Sequence, residues 1–180
     1  MEFQKGQVLI QNRWLLRCPP PRYESQVMTD SKTHFLSLAP SIKRHVHVLL
    51  CENAAEQWAE FLKSNSVEYV ETVTGTSQKL DFGLLLEALD AVRRSDDKSQ
   101  VGRRFLEPLA ALQDGDLSLP EYVEFAFHSI CNLYRKYVDQ EPVDDWLIVN
   151  QALASIPTAE LAKYSLAEAI RRAELALCSD

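Results

Sequence analysis

From residue 80 onward, apolar side chains recur at three- and four-residue intervals, and this helical period constrains the fold more than any other feature of the chain. Phe82, Leu85, Leu86, Leu89 and Val92 predict a helix ending near Arg93-Arg94, where two cations suit the negative end of the dipole. Ser95 to Lys98 is a polar break. Pro108 predicts either a kink in a helix from Val101 to Leu112 or a new helix opened at its first turn. The strongest element is predicted over Leu119 to Asp139. Ser118-Leu119-Pro120-Glu121 reads as a capping box, and Val123, Phe127, Ile130, Tyr134 and Tyr137 form the apolar face. Glu141-Pro142 restarts the chain into a helix carrying Trp146, Leu147, Val149, Ala152 and Leu153, which Pro157 ends. The alanine-rich stretch from Thr158 to Leu177 is helical again, with Ser165-Leu166-Ala167-Glu168 as a second capping box expected to divide it.

The first eighty residues read differently. Gln7 to Gln11 and Trp14 to Cys18 predict a hairpin around Asn12-Arg13, and Pro19-Pro20-Pro21 stops it, because proline gives no amide hydrogen to a ladder. Arg22 to Thr33 reads as loop. Between His45 and Gly75 the pattern predicts a β-α-β unit: Val46 and Val48 alternate as on a strand, Asn53 and Glu56 start a helix bearing Trp58, Phe61 and Leu62, and Val67 to Val73 is extended again. A competing reading makes Ser41 to Ser64 one helix, since Ile42, Val46, Leu49, Leu50, Ala54, Trp58, Phe61 and Leu62 also keep a helical stripe. The expected fold is α+β. A small N-terminal sheet, hairpin plus β-α-β unit, packs with a mainly helical C-terminal portion in a single domain, residues 1–180, with a subdomain seam near residue 80.

A chain of 180 residues, 46% hydrophobic and 25% charged, has enough apolar surface for one core without staples. Its longest apolar runs, such as Val46-His47-Val48-Leu49-Leu50, are far shorter than a bilayer span of ~20 residues. Near the amino terminus the brief Val8-Leu9-Ile10 run does not make a secretory signal, so a cytoplasmic location is expected. Cys18, Cys51, Cys131 and Cys178 form no Cys-x-x-Cys pair, which predicts reduced thiols. Net charge is −7, unevenly spread: seven basic against three acidic residues give the first fifty +4, leaving −11 for the rest. Such an acidic surface argues against nucleic acid as partner and favours a protein with a basic surface.

Several groups carry candidate chemistry. On a strand, His45 and His47 would point one way with Cys51 further along, an arrangement that suits a metal or small ligand but lacks further ligands. Thr74-Gly75-Thr76-Ser77, between a predicted strand and a helix, stands where α/β folds bind phosphate through backbone amides, although it has no Lys-Ser/Thr ending. Asp114 to Glu121 resembles half of an EF-hand loop; Ala110 and Leu112 occupy its first ligand positions, so a helix stop at Gly115 is expected instead. Glu124, His128 and Cys131 share a helical side and read as a polar flank. Asp139, Glu141, Asp144 and Asp145 cluster beside Trp146, an acidic patch with an aromatic anchor. The functional expectation is a non-catalytic protein-binding module without cofactor or metal, of the kind of an immunity-type inhibitor or small acidic chaperone. The alternatives are a ligand-binding or enzymatic domain using His45, His47, Cys51 and Thr74 to Ser77, and a homodimer formed through an exposed helical face.

Overall fold

The computed structural model describes residues 26–71, 74–96 and 99–177. Its elements in chain order are α1 (Gln26–Ser37), α2 (Pro40–Ser64), β1 (Glu68–Val70), β2 (Ser77–Lys79), α3 (Leu84–Arg94), α4 (Val101–Arg104), α5 (Leu106–Asp114), α6 (Glu121–Tyr137), α7 (Asp145–Ala154) and α8 (Ala159–Leu177). The fold is mainly helical. Among the described residues the only sheet is the antiparallel hairpin β1–β2, in register Glu68 to Lys79, Tyr69 to Gln78 and Val70 to Ser77. No helix there is long and apolar enough to cross a membrane.

The expected β-α-β unit is therefore corrected to one long helix and a small hairpin. Pro40 supplies the fixed φ of a first helical turn, and from there burial follows four-residue steps: Val46, Leu50, Ala54 and Trp58 on one ridge, His47, Cys51 and Ala55 on the next. The β-branched alternation of Val46 and Val48 is a local preference, and packing of a continuous helical stripe outweighs it. The helix continues without a break through Cys51-Glu52-Asn53. Cys51 is buried, while Glu52 lies on the outer side, where its Oε1 accepts from Arg93 Nη2 at 2.6 Å. The expected loop up to Thr33 is likewise helical from Gln26, as α1. The predicted hairpin of Gln7 to Gln11 and Trp14 to Cys18 lies outside the described residues.

Helices α2 and α6 pack directly on each other; α3 and α7 flank α6, and α8 covers α2. Buried side chains from both halves of the sequence join in this core, among them Val46, Trp58, Leu89, Phe127, Ile148 and Leu166. A ladder of rings runs through it: Trp58 to Phe127 at 5.6 Å between centroids, Phe127 to Phe105 at 5.4 Å and Phe105 to Tyr134 at 6.2 Å. Trp58 also donates from Nε1 to the Phe82 carbonyl at 3.2 Å, so its one polar atom is satisfied inside.

Helix ends follow local chemistry, with two departures from expectation. Arg44 of α2 donates to the Val92 carbonyl at 2.7 Å and to Ser95 Oγ at 2.8 Å, closing the carboxyl end of α3, where Ser95 adopts a left-handed φ of 53°. Pro108 opens α5 as its third residue, and Gly115, at φ 84°, ends it as expected. The capping box at Ser118 does not form. Pro120 directly precedes α6, and its carbonyl accepts from Val123 and Glu124 without any side-chain cap. The second box also fails, because α8 runs unbroken through Ser165, held by Ala162, Leu166, Ala169, Ile170 and Ala173 along one buried face.

One contact fixes the position of α4. A Cβ placed on Gly102 would lie 2.7 Å from Cε1 of the fully buried Tyr134, whose hydroxyl donates to the Ser99 carbonyl at 2.9 Å. Gly102→Ala should thus lower the unfolding free energy by about 1–3 kcal/mol, the usual cost of overpacking. A urea midpoint unchanged from the parent chain would contradict this packing.

Candidate functional site

The acidic candidates Asp139, Glu141, Asp144 and Asp145 lie with Trp146 on the connection from α6 to α7, which the sequence shapes tightly. Val138 and Asp139 hydrogen-bond back to the Tyr134 carbonyl, Gln140 takes a left-handed φ of 58°, and the amide of Val143 reaches the Glu141 carbonyl across Pro142. Asp144 then caps α7, its Oδ1 accepting from the Leu147 amide at 2.9 Å. These residues come together as expected, but two of the four charges, those of Glu141 and Asp145, are answered from within. Arg135 donates through Nε and Nη2 to Glu141 Oε2 at 2.8 and 2.5 Å. Lys136 reaches Asp145 Oδ1 at 3.1 Å and the Val143 carbonyl at 2.5 Å, while Lys43 of α2 approaches Asp145 Oδ2 at 3.4 Å. Asn132 adds a bond to Gln151 Oε1 at 2.9 Å, tying α6 to α7 one turn further on.

Beneath the turn sits His47. It is buried between α2, α6 and α7, with Nε2 2.9 Å from the Asp145 carbonyl and Nδ1 2.8 Å from the Tyr137 hydroxyl. A carbonyl can only accept, so Nε2 carries the proton, and Nδ1 accepts from Tyr137. This is the neutral imidazole with both nitrogens satisfied. Burial drives its pKa down to about 4, against partial opposition from the bond to Asp145 and that residue's charge. Burial likewise raises the Tyr137 pKa, with the Asp145 carboxylate adding to the effect, so the phenol stays a donor. Burial also pulls the Asp145 pKa upward, but Lys136, Lys43 and the His47 site together leave it below the usual value. Around the imidazole, Phe35 of α1 packs at 5.4 Å from His47 and 6.0 Å from Trp146 between centroids, and Lys32 stands 5.2 Å over the Trp146 ring.

The second candidate group is not assembled. On a helix, positions two apart diverge by ~200°, so His45 is exposed while His47 is buried. Cys51 follows His47 by one turn yet is sealed in the core, where burial raises its thiol to about 12; burial does the same to Cys131. Thr74, Gly75, Thr76 and Ser77 belong to the tip and second strand of the β1–β2 hairpin, and no helix follows them directly. Thr74 Oγ1 donates to the Glu71 carboxylate and lies 2.6 Å from Thr76 Oγ1, Gly75 turns at φ 67°, and Ser77 donates to Glu68 at 2.9 Å. An anion is already built into this tip. His128, expected on a polar flank, is buried instead, beside Glu124 at 3.4 Å. Among the described residues, no three His, Cys, Asp or Glu side chains converge as a metal site requires.

Sequence reading missed the cations and rings that complete the turn: Lys43, Arg135, Lys136, Tyr137 and Phe35. Lys136 in the last turn of one predicted helix and Asp145 at the start of the next carried some signal. Lys43 and His47 carried none while residues 45–50 were read as a strand.

Acid should reveal the buried imidazole. His47 titrates at an ordinary value near 6.5 when unfolded and near 4 when folded, so between those values the unfolded chain holds more protons. Its contribution is complete above pH ~6.5 and is lost as pH falls toward ~4, by about 3 kcal/mol across the window. Denaturation as a function of pH should show this slope, and His47→Gln should flatten it. An equal slope in the variant would contradict the assignment.

Compared with known proteins, the chain matches no family model, no curated protein and no solved structure, which leaves its geometry as the guide to function.

Proposed function

We propose that this chain is a non-catalytic module that binds a protein with a basic surface, in the manner of an immunity-type inhibitor or a small acidic chaperone, with Asp139, Glu141, Asp144, Asp145 and Trp146 as its contact. The observation that carries the reading is the turn between α6 and α7. Three of its four carboxylates are held there, Asp144 by its capping bond, Glu141 by Arg135 and Asp145 by Lys136 and Lys43, and the indole lies between Phe35 and Lys32. Side chains ordered before binding lose little entropy on docking, which favours affinity. Asp139 and Asp144 remain exposed on this turn, while Glu141, Asp145 and Trp146 are half-buried.

Charge supplies the direction of the preference. Because Glu141 and Asp145 are balanced locally, attraction for a cationic partner comes mainly from the −11 spread over residues 51–180, which speeds encounter, while Asp139, Asp144 and the Trp146 ring make contact. Sealed thiols at Cys51 and Cys131 and a neutral, doubly bonded His47 fit a binding role better than a nucleophile or a proton shuttle.

A charge reversal tests it. Cross-linking in native extract, followed by purification, should recover a cationic protein whose yield falls as salt rises. With Asp139→Lys/Asp144→Lys that recovery should drop about tenfold or more, as two interfacial charges of the wrong sign cost on the order of kcal/mol. Equal recovery by the parent and the doubly substituted chain, with matching circular dichroism, would remove the proposal.

A further inference from the structure

We infer that α8 is the interface of a homodimer, in which the outer face of one copy pairs antiparallel with the same face of a second copy. This surface is separate from the turn between α6 and α7. The inner face of α8 is the buried stripe of Ala162, Leu166, Ala169, Ile170 and Ala173. On the outer face Leu161 is 54% exposed, Tyr164 69% and Leu175 55%, three of the nine large hydrophobic residues exposed among the described residues. With Glu168 and Arg171 they keep intervals of three, four, three and four residues, the spacing of a coiled-coil seam, and at ~100° per residue they lie within an arc of ~80°.

The order of chemistry along the seam selects the occupant. It reads apolar, anion, cation, apolar from Tyr164 to Leu175, so it is complementary to itself when reversed. In an antiparallel pair with a two-fold axis at the level of Ala169 and Ile170, Tyr164 meets Leu175 of the second copy and Glu168 meets Arg171 of the second copy. Symmetry repeats both contacts. A parallel pair would set Glu168 against Glu168 and Arg171 against Arg171, opposing like charges. Within one copy Arg171 already holds Glu168 through two bonds, Nε to Oε2 at 2.8 Å and Nη2 to Oε1 at 2.6 Å. In the dimer the two forks form a four-charge cluster flanked by apolar contacts. The seam is one helix long, which places the dimer at the small end of specific interfaces, with a dissociation constant on the order of micromolar.

Sedimentation of the full chain across micromolar concentrations tests this. The average mass should rise from 20.5 kDa toward twice that value. Glu168→Arg and Arg171→Glu should each weaken association about tenfold or more, because each places like charges across the axis. An equimolar mixture of the two variants should associate again, since one copy then presents only cations at the seam and the other only anions. This recovery also shows that both variants fold. A parent chain that stays monomeric, a dimer that neither substitution weakens, or a mixture that fails to recover would each overturn the inference.

Discussion

A neutral histidine sealed between three helices is the interaction on which the rest of this structure depends. His47 reaches α7 through the Asp145 carbonyl and α6 through the Tyr137 hydroxyl, from a position in the middle of α2. Leaving either ring nitrogen unsatisfied in the core would cost about 1–3 kcal/mol, so the geometry is selective: only one tautomer fits, and only when the α6–α7 turn is closed. The ionic contacts of Asp145 with Lys43 and Lys136 then seal the same junction at its rim. Phe35 packs α1 against the imidazole and Trp146 with tilted rings, which joins α1 to the same junction.

From this junction follows the character of the surface above it. Glu141 and Asp145 are held by cations from α2 and α6 and Asp144 by the α7 amino end, which orders these side chains while cancelling part of the local field. In the proposed reading a partner meets an edge carrying Asp139, Asp144 and Trp146, within the wider acidic field of residues 51–180. The outer face of α8 differs in kind. It pairs one anion with one cation between apolar residues, and its chemistry is complementary to itself on reversal, which is why a second copy is inferred there.

How much of this could be read in the amino acids depends on which forces are local. Helices beyond residue 80 were legible because their apolar periods are long and regular, as at Leu85, Leu89 and Val92, and Gly115 marked a true stop. Residues 45–50 misled because Val46 and Val48 favour strand locally, whereas the decision rests on Val46, Leu50, Ala54 and Trp58 finding one continuous core. Capping boxes at Ser118 and Ser165 were matched by residue type, but Pro120 moved one helix start and the buried face of α8 swept through the other. The acidic cluster beside Trp146 was legible as a group. Its neutralisation by Lys43 was not, since a lysine about a hundred residues away in sequence acts only once the helices pack.

The most direct measurement is the protonation of His47 itself, followed by nitrogen and proton NMR of the folded chain from neutral pH downward. Proton attached to Nε2 throughout, with no titration until the solution approaches pH 4, is the result this account predicts. Proton on Nδ1, or a midpoint near the ordinary histidine value, would contradict it.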